Sequence, residues 1–196
     1  MKTIILVRHS EPQRGTSLPN ETIPLSGKGR ELAKRFFSVH PIFEGCHSVY
    51  TSPYARAAET AEYFPGRVIG DDRLVERALG DPESLDAHFW AKQYEDLDFK
   101  NRSGESLREV SQRMDDCVSD ILREMADGEK AAAVSHAAAI CAYLTKFCSV
   151  TVVNGAEKIR RIQFGNEIIM EGKIDTPSAF ILQYDLDKPT EISYIS

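Results

Sequence analysis

Apolar and polar positions recur along this chain with two periods, and the switches between them outline the elements. Ile4-Ile5-Leu6-Val7 is a short, branched run of the kind that forms a strand buried on both faces. Residues 10–24 are polar and rich in Pro, Gly, Ser and Asn, and read as a loop. Ser26 is placed as the N-cap of a helix whose Leu32, Phe36 and Phe37 share a face. His47–Thr51 reads as a second strand, and Ser52-Pro53 as the start of a helix running through Ala61, with Pro53 in the tolerant first turn. Val68-Ile69 is a brief third strand. Residues 71–103 are mixed, with short helical pieces between Ser84 and Tyr94. The spacing of Leu107, Val110, Met114, Val118, Ile121 and Leu122 predicts a long amphipathic helix from Ser106 to Met125. Ala131–Ser135 reads as a buried strand and His136–Phe147 as a helix. The tail has β-rich runs near Ile159–Gln163, Ile168–Met170 and Phe180–Tyr184.

Strands alternating with helices predict an α/β fold, a three-layer α/β/α sandwich around a mostly parallel central sheet. No linker interrupts the pattern, so residues 1–196 are expected to form one domain with a small cap insertion at about 77–103. Composition narrows the function classes. Hydrophobic residues are 42% and charged residues 28%, an ordinary globular balance. The net charge of -6 disfavours nucleic acid as a partner and requires any anion site to be a local cluster of cations. The apolar run before Arg8 is too short for a signal peptide or membrane span, and no later stretch is longer, so no membrane partner and a cytoplasmic location are expected. Cys46, Cys117, Cys141 and Cys148 form neither a CxxC pair nor a zinc spacing, and are expected to be free thiols in a reducing compartment.

Three strand ends carry the chemistry. The first ends in Arg8-His9-Ser10, the second in Thr51-Ser52 with Arg56 one helical turn on, and the late one in Ser135-His136. Ligands of open parallel sheets bind beyond the carboxyl ends of the strands, so the three clusters are placed to share one crevice. Two histidines with two arginines and no acidic cluster suit an anion better than a metal. Arginine's planar fork matches phosphate oxygens, and surrounding cations keep an imidazole neutral and nucleophilic. Alone, either histidine would read as a satisfied core residue.

These residues bring a family into view. Val7-Arg8-His9-Ser10-Glu11 resembles the Arg-His-Gly-Glu signature of the histidine phosphatase (phosphoglycerate mutase-like) superfamily. Pro24-Leu25-Ser26-Gly27-Lys28-Gly29 is similar to its Pro-Leu-Ser/Thr-x-x-Gly element, and Ser52-Pro53-Tyr54-Ala55-Arg56-Ala57 through Thr60-Ala61 to its Ser-Pro-x-x-Arg-Ala-x-x-Thr-Ala element. Leu74-Val75-Glu76-Arg77 with Gly80, Gly104-Glu105-Ser106 and Val134-Ser135-His136 follow in the family's order. The resemblance implies a phosphoglycerate mutase-like fold and a division of roles. His9 would be the nucleophile, and Arg8, Arg56 and His136 would hold the phosphoryl oxygens. Glu76 would be the proton donor, with Asp81 an alternative. No metal or cofactor is called for. Ser10 stands where the family has Gly, so its hydroxyl either lines the pocket or only restricts the backbone. Gly15 stands where the family has Asn, and the neighbouring Arg14 is a candidate replacement contact. Glu11 is expected to pair locally and Glu105 to help start the long helix. His40, His47 and His88 match no motif, though His88 lies in the cap with Phe89, Trp90, Tyr94 and Phe99.

The same core serves hydrolases and 2,3-bisphosphoglycerate-dependent mutases. Between Glu76 and Gly104 the main cations are Lys92, Lys100 and Arg102, too few for a second strong anion site. The expectation is therefore a phosphomonoester hydrolase acting on a small phosphorylated metabolite. A mutase-type phosphotransferase and a non-catalytic phospholigand-binding domain are the alternatives. The β-rich tail after residue 150 is read as either an edge strand or a homodimer contact.

Overall fold

The computed structural model describes residues 1–46, 48–81 and 88–196. The strand start at His47 and the helical pieces from Ser84 to Ala87 lie outside them. Strand β1 (Lys2–Arg8) leads through the 10–24 loop to helix α1 (Gly27–Val39). Then come β2 (Ser48–Thr51), α2 (Ala55–Ala61), β3 (Arg67–Gly70), α3 (Phe89–Glu95), α4 (Leu107–Glu124), β4 (Lys130–Ser135) and α5 (Ala137–Leu144). The chain ends in β5 (Cys148–Asn154), β6 (Ile159–Phe164), β7 (Glu167–Gly172), β8 (Ser178–Asp185) and β9 (Lys188–Ile195).

Six strands form the central sheet in the order β3-β2-β4-β1-β8-β9. The first four run parallel, while β8 is antiparallel to β1 and β9 to β8. Side chains of a strand point alternately to its two faces, and here both faces are covered. Ile4 and Leu6 face one core, built on Met114, Val118 and Ile121 of α4 and Ile140 and Leu144 of α5. Ile5 and Val7 face the other, built on Phe36 and Phe37 of α1 and Ala57 and Ala61 of α2. The result is the α/β/α sandwich. The remaining strands pair among themselves as a separate antiparallel sheet, β5-β6-β7.

Local chemistry sets the helix starts. Ser26 accepts the Gly29 amide at 2.8 Å, and Ser106 closes a capping box with Glu109. Gly29 is required by closeness, since a Cβ there would lie 2.1 Å from the Glu11 carbonyl oxygen. Three boundaries differ from the sequence reading. Helix α2 begins at Ala55, one residue after its N-cap Tyr54, so Pro53 precedes the helix. Helix α5 stops at Leu144, and Cys148 opens a strand in which Cys148 and Val150 are buried while Ser149 and Thr151 are exposed. Strand β9 carries Lys188, Pro189 and Glu191, residues depleted in strands, yet it pairs along an outer edge where they are tolerated.

Candidate active site

Register brings the three strand ends together. Val7 and Arg8 pair with Val134 and Ser135, and Thr51 pairs with Val134. The ladder runs one residue further, with the His9 amide donating to the Ser135 carbonyl and the Ser52 amide to the Val134 carbonyl. His9, Ser52 and His136 therefore leave the sheet side by side, and the two imidazoles lie 5.0 Å apart between centroids.

His9 is 5% exposed. Its Nδ1 donates to the Ser10 carbonyl at 2.7 Å, which leaves the Nε2 lone pair to face Arg56, whose Nε donates to it at 3.2 Å. Burial, reinforced by the charges of Arg8 and Arg56, pushes the imidazole down to about 3, against the opposing bond to Ser10. His9 is thus neutral across the physiological range, with a lone pair on Nε2. Arg56 also donates to the Asn20 carbonyl at 2.6 Å and lies over the Tyr54 ring. His136 Nε2 is 2.9 Å from the Ser52 hydroxyl, which already accepts the Tyr54 amide and so is free to donate its proton to the ring. The tautomer in which Ser52 donates to Nε2 carries the His136 proton on Nδ1. Burial, with the neighbouring His9 and Arg56, holds His136 well below its ordinary range. Arg8 donates from Nη1 to the Ile174 carbonyl, and burial lowers its guanidinium against the opposing carboxylate of Glu76.

Two buried side-chain polar atoms have no partner among the described residues: Arg8 Nε and His136 Nδ1. Both are donors on residues flanking His9. Buried donors are almost always satisfied, and an anion seated on His9 would satisfy these two together. A metal would not, because protonated nitrogens repel a cation; among the described residues no group of three or more His, Cys, Asp or Glu is placed to hold one.

Ser10 does not join the pocket. Its hydroxyl donates to the Gly29 carbonyl at 2.7 Å, its amide to Thr60 Oγ1 at 2.9 Å, and the residue is fully buried. The position taken by Gly in the family here ties the loop after β1 to α1 and α2, so its hydroxyl is engaged within the fold. Arg14, by contrast, lines the same cavity as Arg8 and Glu76.

Glu76 sits at the N-terminus of α5. Its carboxylate accepts the Arg77 amide at 2.9 Å and the Ala139 amide at 3.1 Å. The surrounding strand of chain is held from three sides. Ser135 donates to the Leu74 carbonyl at 2.7 Å, Arg113 donates to the carbonyls of Arg73 and Val75 at 2.7 and 2.9 Å, and Glu105 accepts the Ala78 amide at 2.9 Å. Glu105 in turn pairs with Arg113 at 2.8 Å, so it does more than begin a helix. Asp81 pairs with Arg102 and is not among the residues lining the cavity. Glu11 accepts from Ser26 at 3.0 Å, the local pairing expected of it. His40 packs on Phe36, and His88 is exposed at the start of α3 and does not line the cavity.

The cavity, about 640 Å³, opens from Arg8 and Glu76 toward the cap and the tail. Trp90 of the cap and Lys158, Arg160 and Lys173 of the tail line its far side. These tail cations, and Arg113, were missed in the sequence. The alternation of β6 carries a usable signal: Arg160 and Ile162 share a face, so a buried Ile162 implies an inward Arg160. Nothing comparable marks Arg113 among the other charges of α4.

Fold and site together define an α/β protein with a histidine-centred anion pocket at its sheet's carboxyl edge. The sequence matches the family model of the histidine phosphatase superfamily (branch 1) over residues 4–171, and the chain belongs to that family. No curated protein matches it. Similar solved structures include YhfR of Bacillus stearothermophilus (23% identity, TM-score 0.70, covering 96% of this chain and 94% of that one). A mycobacterial glucosyl-3-phosphoglycerate phosphatase is similar at 19% identity and TM-score 0.68, covering 98% and 95%. A mutant phosphoserine phosphatase from Entamoeba histolytica, in complex with phosphoserine, is similar at 18% identity and TM-score 0.69, covering 98% and 97%. At these identities the likeness is one of fold.

Proposed function

We propose that this protein is a metal-independent phosphomonoester hydrolase of the cytoplasm, acting on a small phosphorylated metabolite through a phosphohistidine. The observation that carries the reading is the pair of unpartnered buried donors, Arg8 Nε and His136 Nδ1, on either side of a neutral His9. The names of two similar structures, phosphatases of glucosyl-3-phosphoglycerate and of phosphoserine, accord with it.

In this reading the phosphoryl group enters with its oxygens on Arg8, Arg56 and His136. Arg56 Nε exchanges its bond to His9 Nε2 for one to a phosphoryl oxygen, which releases the lone pair. Nε2 then forms the N–P bond as the ester P–O bond breaks, and Glu76 gives a proton to the departing oxygen. In the second half, Glu76 takes a proton from water, the water oxygen bonds to phosphorus, and the N–P bond breaks to return His9 and inorganic phosphate. The arginines counter the charge that builds on the equatorial oxygens. The charge a metal would otherwise supply comes from guanidinium groups, so chelation is expected to have no effect.

The test is hydrolysis of p-nitrophenyl phosphate by the wild type and by His9→Ala. The variant is expected to lose turnover by about 10⁴-fold or more, as for other nucleophile deletions, while still binding vanadate. Full activity in the variant, inhibition by EDTA, or isomerisation of 3-phosphoglycerate outpacing hydrolysis would each overturn the reading.

A further inference from the structure

The far wall of the cavity has no part in the chemistry described above, yet it carries charge. Five cationic side chains line the cavity, Arg8, Arg14, Lys158, Arg160 and Lys173, against three carboxylates, Glu76, Glu157 and Asp175, in a protein of net charge -6. None of these cations is in an ion pair with a carboxylate among the described residues, whereas many of the cations elsewhere on the surface are paired, Lys100 with Glu109 and Arg102 with Asp81 among them.

Arg160 is the clearest case. It is 6% exposed. Its Nε donates to the Tyr94 hydroxyl at 3.2 Å and its Nη1 to the Lys158 carbonyl at 3.4 Å, both neutral acceptors. Burial raises the Tyr94 phenol, so it stays protonated and does not balance the guanidinium. The next residue along β6, Arg161, points outward and pairs with Glu171 at 2.6 Å. Burial lowers the Arg160 guanidinium, but Cys141, Tyr94 and the more distant Glu76 carboxylate raise it further, so it stays charged inside the fold with no carboxylate in ion-pair contact among the described residues. Lys158 extends the wall: its ammonium lies 5.0 Å from the centre of the Trp90 ring, and the β5–β6 turn passes close enough that a Cβ added at Gly155 would meet the Trp90 side chain at 3.7 Å.

We propose that Arg160, with Lys158 and Lys173, forms a subsite for a second anion, so that the substrate is a phosphomonoester whose leaving alcohol carries a carboxylate or a further phosphate. The inference rests on the hydrolase reading, and it revises the expectation drawn from the cap. The cap's Lys100 and Arg102 are paired, and the second anion site is built instead from the tail. A cavity of about 640 Å³ is of the size that holds a small organic acid phosphate.

Two probe pairs test it, each differing by one anionic group: 3-phosphoglycerate against glycerol 3-phosphate, and fructose 1,6-bisphosphate against fructose 6-phosphate. The wild type is expected to prefer the anionic member of at least one pair by about tenfold or more in kcat/KM, and which pair responds distinguishes carboxylate from phosphate. Arg160→Met is expected to reduce that preference below about threefold while p-nitrophenyl phosphate hydrolysis stays within about twofold of wild type. Lys158→Gln, at an exposed position, is expected to reduce the preference partially even if Arg160→Met fails to fold. No preference in the wild type, or an equal loss on every substrate in the variants, overturns the subsite. Calorimetric binding of the same pairs to His9→Ala reads the subsite without turnover. A failure of hydrolysis is thereby separated from a failure of the second anion site.

Discussion

The two sides of the proposed substrate site are built in different ways: the histidine cluster, called the phosphoryl wall after its proposed role, and the cavity beyond Arg8 and Glu76, called the leaving-group wall. The phosphoryl wall is made by the ends of three parallel strands in register, so His9, Ser52 and His136 are placed by backbone hydrogen bonds to adjacent residues of β4. Its side chains are buried, and its donors aim at a single point. The leaving-group wall is made by a cap and a separate antiparallel sheet, and its cations come from an exposed turn and loop as well as from Arg160. The first wall has the rigidity that transition-state stabilisation requires. The second has the variability expected of specificity. Glu76 stands between them, on a stretch fastened to both the sheet and α4.

That position predicts the largest effect that separates the walls. Glu76→Gln is expected to lower kcat by about 10²–10⁴-fold on poor leaving groups and much less on p-nitrophenyl phosphate, whose leaving group needs no proton. Equal losses on both would mean that Glu76 serves the phosphoryl wall only. A smaller effect is expected at Arg113, a positioning residue that holds the carbonyls on either side of the Glu76 segment. Arg113→Met is expected to reduce kcat roughly tenfold while vanadate affinity changes far less, because Arg113 makes no hydrogen bond to Arg8, Arg56 or His136 and reaches His136 only through its charge. Weakened vanadate binding in step with kcat would show that the two walls are not separable.

The smallest effect is on stability. His9 has its folded value depressed to about 3, from an ordinary 6.5, and His136 is depressed as well. The unfolded chain therefore takes up protons that the folded one refuses, and the stability these groups contribute is present above pH 6.5 and is lost as pH falls toward 3. For His9 alone the loss is on the order of 2 kcal/mol at pH 5, or roughly 4–8 °C in Tm. His9→Asn should flatten this acid dependence, and a thermal melt series from pH 7 to 5 checks it. An unchanged slope would place the acid sensitivity elsewhere.

The phosphoryl wall was legible in the sequence because its residues follow directly from buried strands, and strand ends are where continuous apolar runs stop. Arg8, His9, Ser135 and His136 are each within two residues of such a stop. Arg56 was read one helical turn beyond such a stop, whereas Glu76 was reached through family resemblance, since neither periodicity nor charge marks it. The leaving-group wall was not legible, for two physical reasons. The sequence shows the cap's Lys92, Lys100 and Arg102 but not that Lys100 and Arg102 have carboxylate partners. The tail's cations lie about 80 residues after Glu76, and only the tertiary fold returns them to it. Ser10 shows a third limit: a hydroxyl next to a nucleophile invites a role in binding, and only the position of Gly29 reveals that it is already engaged.

Among the described residues the β5–β6–β7 sheet has no strand pairing with the central one. Its exposed residues can therefore change without disturbing the ladder that sets His9 against His136, whereas Cys148, Val150, Ile162 and Met170 pack into the core beneath that ladder and must stay apolar. A lineage could exchange one leaving group for another by rewriting this appendage, with the phosphoryl-transfer half inherited intact. In the laboratory the same partition offers a graft: a foreign hairpin in place of residues 148–172, judged by whether p-nitrophenyl phosphate turnover survives while substrate preference moves.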